Sequence, residues 1–115
     1  MAKNCIKTKN YAGIRTIFSE EQRNLKSPKH PELREKDFIE RIKKTIEKPD
    51  FIYADLSQKY RLAYYLLDYG INSKTRYTKV IVKESKNLCF VVTAYRPDYV
   101  KERGKTKLIY GKDKN

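Results

Sequence analysis

The single histidine of this chain, His30, is the residue best suited to acid–base chemistry. Histidine is the only side chain whose unperturbed pKa lies near neutrality, so it is the default group for moving protons at physiological pH. His30 opens the sequence His30-Pro31-Glu32-Leu33 in a chain of 115 residues with a formal net charge of +13. A positive excess of this size predicts a polyanionic partner.

A second cluster that can do chemistry, Thr93-Ala94-Tyr95-Arg96, ends the best predicted strand of the chain. Its two hydroxyls can hydrogen-bond a phosphate oxygen or position a nucleotide. Its arginine, together with Arg61 and Lys79, can bind phosphate. Cleavage of RNA without a metal requires a base, an acid, and cations that stabilise charge on the phosphorane. With the histidine, these residues predict chemistry on a phosphodiester.

Strand alternation decides whether these side chains can converge, because residues two apart share a face of a strand. Thr93 and Tyr95 face the open side of the sheet if the alternate residues of their strand pack against a helix. Those alternate residues are Leu88, Phe90, Val92 and Ala94. Lys79 joins them on the open side if its neighbours Val80 and Val82 belong to the core.

Two candidate substrate contacts depend on further details of the strands. Tyr64 lies on the open side if the buried residues of its strand are Ala63, Tyr65 and Leu67. Arg96 falls on the core side by strict alternation. It reaches the site only if the strand end twists or bulges before the following proline.

The sequence predicts a helix first and strands afterwards. The helix begins at Pro31, or alternatively at Asp37 with Glu40 three residues later, and it ends at Pro49. Its apolar stripe at helical spacing consists of Phe38, Ile39, Ile42 and Ile46. From residue 51 the period becomes two, and strands are predicted at Phe51–Leu56, Arg61–Tyr69, Arg76–Glu84, Leu88–Tyr95 and Lys107–Tyr110.

The N-terminal patterns are weaker. Residues 1–10 are basic and polar and are predicted to be loosely ordered, while residues 11–18 fit a short strand or a helical turn. The predicted fold is α+β in a single domain over residues 1–115. One or two N-terminal helices pack on one face of a four- to five-stranded antiparallel sheet. We expect the functional site on the uncovered face.

The cysteines and the lack of long apolar segments indicate in which compartment the protein acts and whether it binds a metal or a membrane. Cys5 and Cys89 have no metal-binding spacing, and Cys89 is predicted to be a buried apolar residue. A reduced cytoplasmic protein is the simpler interpretation, with a disulfide between the two left open. No segment has the length of a signal peptide or of a membrane span, so no membrane association is expected. Neither a metal nor another cofactor is predicted.

Several short motifs of this chain resemble the barnase–EndoU–colicin–RelE-like ribonuclease superfold, in particular its phage and mobile-element members. The motifs are His30-Pro31-Glu32, Lys44–Asp50, Tyr60–Tyr65, Lys79–Val82 and Val91–Tyr95, and the resemblance covers residues 28–110. It implies an N-terminal helical part, a four-stranded antiparallel sheet, and a metal-independent ribonuclease that in many members is a toxin.

The resemblance also implies which residues line the site. These are His30, a basic residue such as Arg61 or Lys79, and the Thr93–Tyr95 segment. Some members place a second histidine late in the chain. This sequence has none, which leaves the acid–base partner of His30 open.

The leading hypothesis is a small, metal-independent endoribonuclease that uses the RNA 2′-hydroxyl as the nucleophile. In this hypothesis the catalytic residues are His30, Thr93 and Tyr95, and the substrate-binding residues are Arg61, Tyr64, Lys79 and Arg96. The alternative is a non-catalytic RNA- or DNA-binding protein that uses the same charge and the ten tyrosines. A third interpretation is a protein that binds an acidic partner, and a toxin-like nuclease can also have an acidic inhibitor or immunity protein.

Overall fold

The computed structural model describes residues 3–68, 77–100 and 106–111. The strands are β1 (Asn4–Lys9), β2 (Arg15–Ser19), β3 (Phe51–Asp55), β4 (Arg61–Leu67), β5 (Tyr77–Glu84), β6 (Leu88–Tyr95) and β7 (Thr106–Gly111). The helices are α1 (Glu20–Lys26), a short 3-10 helix (Pro31–Arg34) and α2 (Lys36–Glu47). Two predicted strand ends, Tyr69 and Arg76, lie outside the described residues. Within the described ranges, no helix has the length and apolar character that crossing a bilayer requires.

The strands of the described residues form one seven-stranded sheet in the order β1-β2-β6-β5-β4-β3-β7. β3, β4, β5 and β6 follow one another as an antiparallel meander, and β7 pairs with β3. β1 and β2 form an antiparallel hairpin, and β2 pairs with β6 in parallel. The expected fold, with N-terminal helices on a four- to five-stranded antiparallel sheet, is therefore wrong. The chain begins with two strands, and the sheet is larger and mixed.

The N-terminal hairpin is the main departure from the expected fold. The sequence predicts loose order for residues 1–10, yet residues 4–9 form β1. Ile6 is the buried residue of this strand, so β1 shows little of the apolar alternation that marks a strand. Its order comes from pairing with β2, which in turn pairs with β6 and covers an edge of the meander.

Helix α2 covers one face of the sheet, which we call the core face. Three residues of its predicted apolar stripe, Phe38, Ile42 and Ile46, are completely buried. The strand residues of the same core cluster include Leu62, Tyr64, Val80, Val82 and Ala94. We call the opposite sheet face the open face, and it carries the side chains that alternate with these core residues.

Strand β6 has its predicted bounds, but it does not alternate regularly. Its register with β5 shifts between Ile81 and Val82, so Val92 is an extra residue and β6 bulges there. The β6 residues that reach the core are therefore Cys89, Val91 and Ala94. The expectation that Leu88, Phe90 and Val92 join Ala94 in the core is wrong, because the bulge changes the phase of alternation, and Phe90 is exposed.

A candidate nucleic-acid site on the open sheet face

Cross-strand pairing arranges the open face of β4, β5 and β6 in three rows of side chains. The first row is Tyr65, Lys79 and Tyr95, the second row is Ala63, Ile81 and Thr93, and the third row is Arg61, Lys83 and Phe90. Adjacent rows are two residues apart on β4 and β5, or about 7 Å along the strands. The bulge in β6 is what allows Phe90 and Thr93 to share this face.

A cavity of about 470 Å³ lies over this face. The cavity is lined by all three residues of the first row, by Ala63 and Ile81 of the second row, and by Arg61 of the third row. Ala63 is small while Tyr65 and Tyr95 are large, so the second row forms a depression beside the first. Further lining residues come from the flanking elements and include Tyr53, Asp55, Pro97, Tyr99 and Thr106.

Lys79 brings a positive charge to the wall of this cavity. The residue is only 8% exposed, which is rare for lysine. Its Nζ lies 5.2 Å from the centre of the Tyr65 ring and 5.6 Å from that of Tyr95. Both distances are within the range of cation–π attraction. The ammonium is thus held between two aromatic side chains of the first row.

His30 reaches the same row from a different part of the chain. Its ring stacks on Tyr95, with the ring centres 5.0 Å apart and the planes 10° from parallel. The His30 backbone is fixed on both sides, because its N–H donates to Lys26 O at 3.0 Å and its carbonyl accepts from Leu33 N at 3.0 Å. Leu33 is completely buried and anchors this segment.

The position of His30 follows from the path of the chain around the end of β6. The 3-10 helix links α1 to α2, and it passes where Tyr95 and Arg96 end the strand. Tyr95 faces the open side and meets His30. Arg96 faces the core side, where its guanidinium lies 4.4 Å from the centre of the Phe38 ring and 3.6 Å from the Glu35 carboxylate.

Thr93 supplies a hydroxyl in the second row. Its Oγ1 is buried and has no hydrogen-bond partner among the residues that the structure describes. Buried hydroxyls in folded proteins nearly always have a partner. Thr93 pairs across the strands with Ile81, which lines the cavity, so this hydroxyl lies in the layer of side chains beneath it.

A carboxylate accompanies the cations on the β3 side of the cavity. Asp55 accepts hydrogen bonds from Ser57 Oγ at 2.6 Å and from Ser57 N at 2.9 Å. These bonds, with a smaller contribution from Arg61, hold the pKa of Asp55 below its usual value. The cavity therefore contains an ionised carboxylate beside Arg61. Asp55 can accept hydrogen bonds from N–H or O–H groups of a ligand, and Arg61 can bind an anion.

The structure brings together five of the predicted site residues. His30 and Tyr95 are in ring contact, Lys79 lies against Tyr95, Arg61 lines the cavity, and Thr93 belongs to the adjacent row. It does not bring Tyr64 or Arg96 to this face. Sequence reasoning missed most of the other lining residues, among them the polar and aromatic Tyr53, Asp55, Tyr65 and Tyr99.

Tyr64 lies on the core face, opposite to the expected side. The ring is completely buried, and its hydroxyl accepts a hydrogen bond from Asn10 Nδ2 at 3.2 Å. Burial raises the pKa of the Tyr64 hydroxyl far above its usual value. Asn10 Oδ1 in turn accepts from the backbone N–H of Ala12 and Ile14, so this bond ties the β1–β2 turn to the core.

Tyr64→Phe tests this placement. We expect the free energy of unfolding to fall by about 1–2 kcal/mol, because the buried Asn10 amide loses its bond to the Tyr64 hydroxyl and keeps only a long contact to Cys89 Sγ. Urea unfolding monitored by circular dichroism measures the change. Tyr60→Phe, at a tyrosine that is largely exposed, is the matched control and should leave the unfolding midpoint unchanged. Equal midpoints for Tyr64→Phe and the wild type would contradict the placement.

Comparison of this chain with protein-family models, curated proteins and solved structures finds no match. Within the described residues, no group of three or more histidine, cysteine, aspartate and glutamate side chains is arranged to hold a metal ion. The functional argument therefore depends on the geometry of the open face.

Proposed function

We propose that this protein is a small, metal-independent endoribonuclease. It cleaves RNA by attack of a 2′-hydroxyl on the adjacent phosphorus, which breaks the bond to the 5′-oxygen and leaves a 2′,3′-cyclic phosphate. One observation supports this proposal above the others. The imidazole of His30 stacks on the Tyr95 ring, and the Lys79 ammonium contacts the same ring. Tyr95 and Lys79 line a cavity large enough for a nucleotide.

His30 and Tyr95 are assigned the proton transfers of this reaction. One proton leaves the 2′-hydroxyl and one is added to the departing 5′-oxygen, so two transfers are needed. The imidazole carries the transfer at one of these oxygens. The Tyr95 hydroxyl, on the ring against which His30 is held, is assigned the transfer at the other.

Lys79 and Arg61 are assigned the stabilisation of charge. Negative charge increases on the non-bridging oxygens as the phosphorane forms, and fixed cations in a poorly hydrated wall stabilise it strongly. Lys79 is almost buried, and Arg61 lines the same cavity. The Thr93 hydroxyl is buried beneath the cavity lining, so Thr93 is assigned a supporting role in the second row and not a direct bond to the phosphate.

The cavity walls fit a nucleotide in other respects. Aromatic rings offer faces on which bases stack. Tyr53 and Tyr99 supply such rings, and the Asp55 carboxylate can accept hydrogen bonds from N–H groups of a base. The resemblance of short motifs to the barnase–EndoU–colicin–RelE-like ribonucleases names the same residues, but the fold that it implies is not the one observed, so the proposal depends on the geometry of the open face.

The two cysteines are compatible with action in a reducing compartment. Cys5 and Cys89 are free thiols, and Cys89 is completely buried in the core cluster, as the sequence predicts. Burial raises the pKa of the Cys89 thiol. We propose the cytoplasm as the place of action, since free thiols persist there.

Cleavage of RNA in the presence of EDTA tests the proposed function. Purified protein and 5′-labelled RNA are incubated with excess chelator, and the products are treated with phosphatase either directly or after dilute acid, which opens a 2′,3′-cyclic phosphate to a monoester. We expect cleavage products that end in 2′,3′-cyclic phosphate, because every assigned group is an amino acid side chain. A catalytically inert preparation would instead favour the non-catalytic RNA- or DNA-binding alternative, provided that it still binds RNA with a steep dependence on salt.

A further inference from the structure

The third row of the open face places two positive charges directly opposite each other. Arg61 on β4 pairs across the strands with Lys83 on β5. Like charges at such positions destabilise a sheet. Lys83 is exposed, and a ligand that carries negative charge would remove the repulsion. Arg61 also lines the cavity, so the pair is continuous with the proposed active site.

Two exposed aromatic rings accompany this pair of cations. Phe90 pairs with Lys83 from the β6 side and is 40% exposed. Tyr60 precedes Arg61 and is 66% exposed. Exposed rings of this size next to cations are the combination with which proteins bind single-stranded nucleic acids.

Tyr60 also has an unusual backbone. Its φ is 66°, in the left-handed region that residues other than glycine seldom adopt. Its carbonyl accepts a hydrogen bond from Glu84 N at 2.6 Å, which fixes the residue to the end of β5. Strained positions of this kind are common at binding sites. Here the left-handed backbone of Tyr60 and its bond to Glu84 place an exposed ring beside the third row.

Tyr60, Lys83 and Phe90 line one groove, whereas Arg61 lines the cavity over the first row. The volume of the groove is about 870 Å³, and it lies at the turn between β5 and β6. The lining residues are Ile14, Tyr60, Lys83, Glu84, Ser85, Lys86 and Phe90. Two lysines and one glutamate give the lining a positive balance, in a chain whose formal net charge is +13.

We propose that this groove is a second nucleotide subsite, which binds single-stranded RNA next to the bond that is cleaved. This inference rests on the proposed function and adds that the substrate is a strand longer than two nucleotides. The third row lies about 13 Å from the first row along the strands, so it contacts nucleotides that flank the catalytic cavity. Lys83 binds a flanking phosphate, and the bases stack on Phe90 and Tyr60.

Binding of oligonucleotides of two lengths tests this subsite. The probes are fluorescently labelled 2′-O-methyl RNAs of two and eight nucleotides, which cannot undergo attack by the 2′-oxygen, and the readout is anisotropy at fixed salt. We expect Phe90→Ala and Tyr60→Ala each to weaken binding of the octanucleotide by about 10- to 100-fold. Binding of the dinucleotide should be unchanged. Ile109→Ala, at an exposed apolar residue of β7, is the matched control and should leave both affinities unchanged.

The outcomes separate this inference from the proposed function. Octanucleotide binding that is equal in Phe90→Ala, Tyr60→Ala and wild type would overturn the subsite. So would a loss of self-association in Phe90→Ala at unchanged RNA affinity, because the surface would then bind a second copy of the chain. If the aromatic variants weaken octanucleotide binding while wild type yields no products from RNA, the subsite stands and the proposed cleavage fails.

Discussion

Replacement of His30 by phenylalanine is expected to slow RNA cleavage by about 10²- to 10⁴-fold. A phenyl ring can keep the stacking contact with Tyr95, whose ring centre lies 5.0 Å from that of His30, but it cannot accept or donate a proton. The affinity for RNA should stay close to that of the wild type, because the cations and the other rings are unchanged. Single-turnover cleavage of a labelled RNA, measured at saturating protein, gives the rate of the chemical step directly.

His30→Ala is the companion variant, because it removes both the ring and the proton transfer. If the imidazole acts only by packing, the phenylalanine variant should cleave RNA as fast as wild type, and only the alanine variant should be slow. If it transfers protons, both variants should be slow. Thermal unfolding of both variants controls for loss of fold. A Phe variant with the wild-type rate removes His30 from the mechanism.

The sequence predicts the central meander well because its strands carry a local signal. β6 has its predicted bounds, and β5 alternates as expected, with Val80 and Val82 in the core and Lys79 on the open face. The N-terminal hairpin could not be found in this way. The order of β1 depends on pairing with residues that are distant in the sequence, and Ile6 alone gives no periodic pattern.

Strand β4 shows why alternation alone cannot assign a face. In the sequence Arg61–Leu67, apolar or aromatic residues occupy both phases of the strand, so either Tyr64 or Tyr65 can face the core. Both rings are in fact completely buried. Tyr64 is buried under α2 with its hydroxyl bonded to Asn10, and Tyr65 is covered by other rings on the open face. The partner of the Tyr64 hydroxyl lies 54 positions away, which no local pattern reveals.

The catalytic candidates could be predicted by type but only partly by position. Thr93 and Tyr95 share a face whether or not β6 bulges, because the bulge at Val92 precedes both. Lys79 follows from its cross-strand pairing with Tyr95. The contact of His30 with Tyr95 depends on tertiary packing. The buried Leu33 anchors the 3-10 helix near the end of β6 and so places His30 there. The sequence supplied the imidazole, and the packing of a connecting segment positions it.

Replacement of Lys79 by methionine is expected to lower the rate of cleavage by about 10²- to 10³-fold. Methionine has a similar length and is apolar, so it can occupy the space between Tyr65 and Tyr95 without the charge that stabilises the phosphorane. The loss should appear in the maximal rate more than in the affinity for RNA, because the charge on phosphorus is greatest in the transition state. Lys79→Arg should keep part of the rate, because arginine carries the same charge and differs from lysine in its head group.

The control for Lys79→Met is the same substitution on the other side of the molecule. Lys43 is an exposed residue of α2, and Lys43→Met removes one positive charge from the chain without touching the open face. If Lys79 acted only by raising the general attraction for a polyanion, the two variants would lose activity equally, and added salt would reduce the difference between each variant and wild type. If Lys79 acts on the phosphorane, Lys43→Met should cleave at a rate close to wild type at every salt concentration. Equal losses in the two variants would show that Lys79 does not stabilise the phosphorane. Lys79 would then contribute only to the binding of RNA.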